Sequence, residues 1–238
     1  MIHPALKKVI LTSATLVFLL LTLSWLQMPK KENPYGLDII STLPDYRRTI
    51  RENGSNQLVD LEKSIGGIVL DMRYATSNNF TGQPIYPAPK AYLRKVVADS
   101  LLKIQLELQK KGLGLKIFDA YRPYSVTLKF FKVYPDTNFV ASPRTGSRHN
   151  RGCAVDLTIL ETSSGKELEM PTPFDDFTVK ASQSYRNLPD RVLQNRKLLR
   201  DIMVRHGFEP LESEWWHYDF GGWRNFKIMD IAFDELTY

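Results

Sequence analysis

The sequence is poor in the two residue types that most often cross-link a chain or bind a metal. Of 238 residues, one is cysteine, Cys153, and four are histidine. A single cysteine excludes a disulfide within the chain, so folding must rest on core packing, alone or with a metal. Cys153 could itself be a metal ligand. Because cysteine is among the most buried residue types, we favour a packed thiol.

Other absences narrow the class of protein. The chain has no internal repeat and no low-complexity tract, and its body has no basic run interleaved with aromatic residues. The formal charge of +6 therefore indicates a solvated basic surface, and we expect no nucleic-acid partner. With 43% apolar and 24% charged residues, the composition is that of one folded domain with appendages.

The first 31 residues have the layout of an export segment. Lysines precede and follow an uncharged run from Val9 to Met28. About twenty residues at helical rise span a bilayer core, so 1–31 is predicted to be a signal peptide or an N-terminal membrane anchor. The cleavage pattern is poor, which favours an anchor in the inner membrane with the rest exported to the periplasm or cell exterior. Residues 32–56 are predicted to be a linker and 57–238 the folded domain.

Hydrophobic periodicity in this domain predicts a mixture of helices and strands. Strands are predicted within 58–61 and 68–74, separated by a hairpin or bulge, and at 113–120 and 153–159; helices are predicted at 92–111, 125–134 and 189–205; and 165–184 is predicted to be a long loop. His206 closes the last helix, where a capping role is more common than metal binding. His3 lies ahead of the apolar run, which leaves His149 and His217.

Both remaining histidines lie in short polar segments. His149 is followed seven positions later by Asp156, and His217 lies far downstream. Two histidines and an aspartate form a three-ligand set of the kind that zinc takes when a fourth position stays open for water. The alternative is a loop histidine at 149 and a core histidine at 217.

Three further side chains are candidates for the chemistry. Glu214, three residues before His217, could carry a proton, but the two share a face only if the chain bends between them. Arg122 could stabilise negative charge on a substrate oxygen, or only pair with Asp119. Asp175 in the long loop could bind a substrate ammonium group, or only cap a turn.

These residues, read together, resemble a known family. The motifs are Ser147-x-His149-x-x-Gly152-x-Ala-x-Asp156, Glu214-x-Trp216-His217, Asp71-Met-Arg-Tyr-Ala-Thr76 with Asn79-Phe-Thr-Gly82, Asp119-Ala-Tyr-Arg-Pro123 and Thr172-Pro-Phe-Asp175. They resemble the zinc D-alanyl-D-alanine dipeptidases of the vancomycin-resistance type, within the clan of D,D-peptidases and hedgehog-like zinc peptidases. The resemblance covers about Leu58 to Phe220.

The resemblance implies an α+β fold with a central antiparallel sheet flanked by helices. It implies one Zn²⁺ held by His149, Asp156 and His217, with Glu214 as catalytic base and acid. By the same likeness Arg122 stabilises the transition state, while Asp175 and Ser147 lie near the amino group and carboxylate of a small dipeptide. Resistance-type enzymes are typically cytoplasmic, so the export segment favours a role in cell-wall dipeptide turnover or recycling.

Two other functions remain open from the sequence. One is a D,D- or L,D-carboxypeptidase or endopeptidase of the same clan that acts on longer peptidoglycan peptides. The other is a non-catalytic module that binds the cell wall.

Overall fold

The computed structural model describes residues 33–236, and the chain from Leu37 onward forms one compact unit. The predicted export segment, residues 1–31, lies outside the described residues. Within residues 33–236, no helix has both the length and the apolar character needed to cross a membrane.

Helices and strands follow one another without a regular strand–helix–strand repeat, and the main sheet is mostly antiparallel, as is typical of an α+β fold. In chain order they are β1 (Ile39–Ile40), α1 (Leu43–Glu52), β2 (Leu58–Asp60), α2 (Leu61–Ser64), β3 (Val69–Leu70), β4 (Tyr92–Arg94), α3 (Lys95–Gln109), β5 (Leu113–Asp119), α4 (Tyr124–Val133), β6 (Ala154–Glu161), α5 (Asp190–Arg205), β7 (Phe208–Pro210), β8 (His217–Phe220) and β9 (Ile228–Met229).

The main sheet has five strands in the order β3-β5-β6-β8-β7. Every neighbouring pair is antiparallel except β3 and β5 at one edge, which are parallel. In β6 every residue from Ala154 to Leu160 is buried, because both faces of this central strand are covered. The predicted antiparallel sheet flanked by helices is confirmed.

Helix α3 packs on the sheet through one apolar stripe. Val97, Leu101, Ile104 and Leu108 are each 0% exposed. Burying such a side chain contributes about 1.5–3 kcal/mol. The helix predicted from the sequence begins at Tyr92, but Tyr92–Arg94 form strand β4, which pairs with β2, and α3 begins only at Lys95. The buried Arg94 side chain explains this start, since its guanidinium donates to the carbonyl oxygens of Arg151 and Asn56 instead of facing solvent.

The structure corrects two further predictions. Strands β2 and β3 do not form a hairpin, because α2 separates them and each pairs with a different strand. The predicted linker over 32–56 is, from Leu37 on, part of the compact unit. Strand β1 pairs with β9, and Tyr46 of α1 is 1% exposed, with its hydroxyl oxygen accepting a hydrogen bond from the backbone N–H of Leu58.

Candidate active site

Three acidic or imidazole side chains lie side by side across the main sheet. In the strand register Asp119 of β5 is the neighbour of Asp156 of β6, and Asp156 is the neighbour of His217 of β8. Because directly paired residues of adjacent strands point to the same face, the backbone ladder itself brings the three together. The sheet therefore holds two of the three predicted metal ligands at fixed positions.

The third predicted ligand, His149, comes from a tight turn before β6. A 3-10 turn at His149–Arg151 ends in Gly152, whose φ of +68° suits glycine, and a Cβ there would lie 2.7 Å from Leu58. The buried Asn150 side chain braces this turn. It accepts from the backbone N–H of Ser147 at 2.7 Å and donates to the carbonyl oxygen of Arg122 at 2.8 Å.

The three predicted ligands converge. Nε2 of His149 lies 3.2 Å from Nδ1 of His217, and the latter atom lies 2.9 Å from Oδ1 of Asp156. The distance from His149 Nε2 to the same Asp156 oxygen is 3.4 Å. All three side chains are buried. The structure thus brings His149, Asp156 and His217 together, as the sequence predicts, with one donor atom of each facing the others.

The outer hydrogen bonds fix which nitrogen of each ring carries hydrogen. Nδ1 of His149 lies 2.7 Å from the carbonyl oxygen of Ala120, which can only accept, so Nδ1 is the protonated nitrogen. Nε2 of His217 similarly donates to Asp219 at 3.0 Å. The inner nitrogens and the Asp156 oxygen then face each other as three lone-pair donors, which is the donor set that a metal ion fits.

The electrostatics agree that the cluster requires a cation. Burial alone would raise the pKa of Asp156, but His149 and His217 outweigh it and hold the pKa well below its usual range. Burial opposes a charge on His217, yet Asp219 and Asp156 raise the pKa of this imidazole well above its ordinary value. Without a metal, a proton on His217 supplies the positive charge that the surrounding carboxylates demand.

Glu214 reaches the cluster because the chain bends, as the sequence requires. Turns lie on both sides of Glu214, at 212–213 and 215–216, and β8 begins only at His217. A carboxyl oxygen of Glu214 therefore lies 4.0 Å from Nδ1 of His217. Within residues 33–236 this carboxyl group has no hydrogen-bond partner. Burial raises the pKa of Glu214 to about 8, against the opposing effect of His217. A buried, unpartnered carboxyl group of this kind can take up and release a proton near neutral pH.

Arg122 does form the predicted ion pair with Asp119. Its Nε and Nη2 donate to one oxygen of Asp119 at 3.0 and 2.6 Å, and the other oxygen accepts from the Tyr86 hydroxyl at 2.7 Å. The guanidinium also lies over the Phe130 ring, 4.7 Å from its centroid. In the described part of the chain Nη1 makes no hydrogen bond, and Arg122 lines the cavity. The pairing therefore fixes the guanidinium and leaves one nitrogen for a ligand.

Asp175 lies at the tip of the long loop with a φ of +62°, a conformation that few residues other than glycine adopt. Its carboxylate accepts from the Tyr74 hydroxyl at 3.0 Å. Burial, followed by the nearby charge of Asp156, raises the pKa of Asp175 to about 8. A substrate ammonium group next to Asp175 would oppose both effects and favour the ionised carboxylate.

A cavity of about 150 Å³ connects these groups. It is lined by the three ligands, Glu214, Arg122 and Asp175, and by Ser147, whose hydroxyl oxygen accepts from the backbone N–H of His149 at 3.2 Å. The cavity is far smaller than the roughly 300–1,000 Å³ of pockets for drug-sized ligands, so it suits a small molecule.

The remaining two candidates for metal binding lie elsewhere. Cys153 is fully buried, and burial raises the pKa of its thiol to about 12, as expected for a packed side chain. His206 lies at the end of α5, and its Nε2 is 3.0 Å from a carboxylate oxygen of Glu107. The predictions of a packed thiol and a capping histidine agree with these positions.

Three residues of the site were not predicted from the sequence: Tyr74, Asn150 and Asp219. Asp219 had a usable signal, because it lies two positions after His217 in a strand and so shares its face. Tyr74 lies in the motif Asp71–Thr76, but its contact with Asp175 could not be predicted, because the two residues are 101 positions apart in sequence.

The chain is similar to proteins of one known family. A family model described as D-ala-D-ala dipeptidase matches residues 54–231. The D-alanyl-D-alanine dipeptidase of Escherichia coli (strain K12) is 34% identical over 179 residues, which cover 75% of this chain and 92% of the relative. The dipeptidase of Enterococcus faecalis (strain ATCC 700802 / V583) is 31% identical over 206 residues, covering 77% and 96%. A solved structure, VanYB in complex with D-Alanine-D-Alanine, has a TM-score of 0.39 at 14% identity over 59% of this chain and 77% of that chain.

Replacing His217 tests the ligand set. In His217→Ala we expect loss of bound zinc and loss of the stability that zinc confers, because metal binding supports folding. The matched control is His206→Ala, which removes an imidazole outside the cluster. Metal analysis after dialysis and thermal unfolding with and without chelator measure both effects. Unchanged zinc content in His217→Ala would refute its assignment as a ligand.

The Asp175 environment predicts a pH dependence of the metal-free protein. Because the folded-state pKa is raised from 3.8 to about 8, the folded state binds the proton more tightly, and stability falls as pH rises through this window. Asp175→Asn lacks this loss, so its free energy of unfolding relative to that of the wild type should rise by about 4 kcal/mol between pH 5 and pH 9. Urea unfolding in chelator measures the difference, with Asp190→Asn, a change at the exposed first residue of α5, as the control. A pH-independent difference would contradict the assigned environment.

Proposed function

The chain belongs to the D-ala-D-ala dipeptidase family and, as a zinc metallopeptidase, hydrolyses D-alanyl-D-alanine to two D-alanines; we propose that it does so in the cavity lined by His149, Asp156 and His217. The observation that carries this assignment is the Glu214 carboxyl group, which makes no hydrogen bond within residues 33–236 and lies 4.0 Å from His217, beside three facing donor atoms. A proton carrier next to a three-donor metal set is the arrangement that hydrolysis by a zinc peptidase needs.

His149, Asp156 and His217 would hold the zinc ion, one per chain. When bound, zinc acts as a Lewis acid that polarises the scissile carbonyl group and makes water acidic enough to react near pH 7. Asp219 and the Ala120 carbonyl group keep the two imidazole rings in the tautomers that such binding requires.

Glu214 would move the proton. Its carboxyl group takes a proton from the attacking water and delivers it to the amine nitrogen as the C–N bond breaks. Burial raises the pKa of Glu214 to about 8 in the metal-free protein, and the charge of bound zinc would lower it, so that the ionised carboxylate is the form that accepts the proton. The buried Trp216 beside it helps to exclude bulk water, which strengthens these interactions.

Arg122 would stabilise the negative charge that develops on the carbonyl oxygen. Asp119 holds its guanidinium through two nitrogens, so no reorganisation is needed when the charge appears. Asp175 would bind the substrate ammonium group, and Ser147 would donate its free hydroxyl hydrogen to the substrate carboxylate. The small cavity favours a dipeptide over the longer peptides that a carboxypeptidase or endopeptidase accepts.

We also propose where the enzyme acts. The uncharged run from Val9 to Met28, flanked by lysines, supports export, with residues 1–31 as a membrane anchor if they are not cleaved. A dipeptidase outside the cytoplasm would serve cell-wall dipeptide turnover.

The central test is release of free D-alanine from D-alanyl-D-alanine by the zinc-loaded full-length chain. Turnover should fall about 10²–10⁴-fold in Glu214→Gln with zinc content unchanged, because only proton transfer is lost. Glu212→Gln, on the exposed side of the same turn, is the control. Absence of turnover by wild type would refute dipeptidase activity. Cleavage of a pentapeptide precursor in preference to the dipeptide would instead favour the carboxypeptidase alternative, and binding to cell-wall material without turnover would favour a non-catalytic module.

Cell fractionation tests the proposed location. We expect the full-length chain in the membrane or periplasmic fraction and a chain that lacks residues 1–31 in the cytosol, because only the apolar run can insert into a bilayer. Full-length protein found wholly in the cytosolic fraction would contradict export.

A further inference from the structure

The proposed substrate is a zwitterion, and its carboxylate needs a positive partner in the cavity. Two arginines line the cavity, Arg122 and Arg148. Two nitrogens of Arg122 are committed to Asp119, and the group lies next to the metal ligands, with Nη2 4.0 Å from Asp156. We propose that Arg148 binds the C-terminal carboxylate of the dipeptide. This inference rests on the proposed function and deepens it.

Contacts fix the Arg148 side chain but leave part of its guanidinium group available to a ligand. Its Nε lies 3.4 Å from a carboxylate oxygen of Asp219, and its guanidinium lies over the Trp223 ring, 4.7 Å from the centroid. Within residues 33–236 its two terminal nitrogens make no hydrogen bond. The side chain is 46% exposed. These nitrogens form one side of a planar fork, the geometry that pairs with a carboxylate through two parallel hydrogen bonds.

Arg148 and Asp175, the proposed ammonium partner, both line the cavity but contact different residues. Contacts lead from Arg148 to Asp219, from Asp219 to the outer nitrogen of His217, and from His217 to the ligand cluster. Asp175, the proposed ammonium partner, contacts Tyr74 instead and shares no hydrogen bond or ion pair with Arg148 in the described part of the chain. The cavity thus offers a zwitterion one positive group, the guanidinium of Arg148, and one negative group, the carboxylate of Asp175.

The negative charge of Asp219 must be offset before a substrate carboxylate can bind next to it. Asp219 itself lines the cavity, and its negative charge would repel a substrate carboxylate. Arg148 offsets that charge while leaving Asp219 bonded to His217. The adjacent Ser147 adds a hydroxyl donor next to the same position.

Two other arginines lie near Trp223, but they differ from Arg148 in their position relative to the cavity. Arg151 donates to the carbonyl oxygen of Phe226, and Arg224 lies over the same indole ring, 4.3 Å from its centroid. Neither lines the cavity. Arg224 is exposed and has the same charge, so it serves as a matched control.

The test compares D-alanyl-D-alanine with its C-terminal amide, using zinc-loaded full-length protein. Wild type should prefer the free acid. In Arg148→Ala, kcat/KM for the acid should fall about 10-fold or more, mainly through KM, because one charge-assisted interaction with a group unchanged in the reaction is lost. For the amide the change should stay below about 3-fold. Arg148→Lys should recover part of the preference, and Arg224→Ala should match wild type.

The ratio of acid to amide separates carboxylate binding from an indirect effect. If Arg148→Ala instead disturbed the hydrogen bond from His217 to Asp219, the enzyme would lose zinc, and turnover of both substrates would fall equally. Zinc content is therefore measured in parallel. Equal losses for acid and amide, or an Arg148→Ala enzyme that keeps the wild-type preference, would overturn the assignment of Arg148. Absence of dipeptide turnover by wild type would overturn the proposed function and this inference with it.

Discussion

The site depends on three lone-pair donors that face each other in a buried place. Nε2 of His149, Nδ1 of His217 and an oxygen of Asp156 lie 2.9 to 3.4 Å apart, a spacing that is repulsive unless a cation lies among them. The outer hydrogen bonds to Ala120 and Asp219 prevent the rings from relieving the repulsion by changing tautomer. Binding of a cation therefore stabilises the cluster: a proton offsets part of the repulsion, and a metal ion, which all three donor atoms can contact, offsets it fully.

The sheet makes this arrangement possible by holding negative and imidazole groups in adjacent strands. Asp119, Asp156 and His217 form one cross-strand row, with backbone hydrogen bonds on both sides of β6. The third ligand, His149, comes from the turn that Asn150 braces beside this row, whereas Glu214 and Asp175 come from a turn and a loop around it. The ligands are thus held by fixed elements, and the groups that meet the substrate are carried by the segments between elements, where binding and catalytic residues are common.

Elements whose structure follows from a local sequence pattern can be predicted from the sequence, whereas elements that form only by pairing with distant segments cannot. The ligand set and α3, α4 and α5 could be read from spacing and periodicity, and the bend at Glu214 could be argued from strand geometry. The segment 37–56 could not. Strand β1 has two residues and is ordered by β9, far away in sequence, while α1 has only one buried residue, Tyr46. Tyr92–Arg94 was predicted as helix because Leu93 continues the apolar stripe, although pairing with β2 makes it a strand.

For Arg122, an ion pair with Asp119 and a role in stabilising charge on the substrate are compatible. Pairing with Asp119 and a role at the substrate oxygen were alternatives in the sequence, yet the buried pair is what fixes the guanidinium for such a role. Removing one partner of a buried pair costs roughly 3–5 kcal/mol, so this arginine cannot easily move. A fixed donor suits a charge that exists only in the transition state. The half-exposed Arg148 is less constrained, which suits a carboxylate that is charged before, during and after the reaction and therefore affects binding more than turnover.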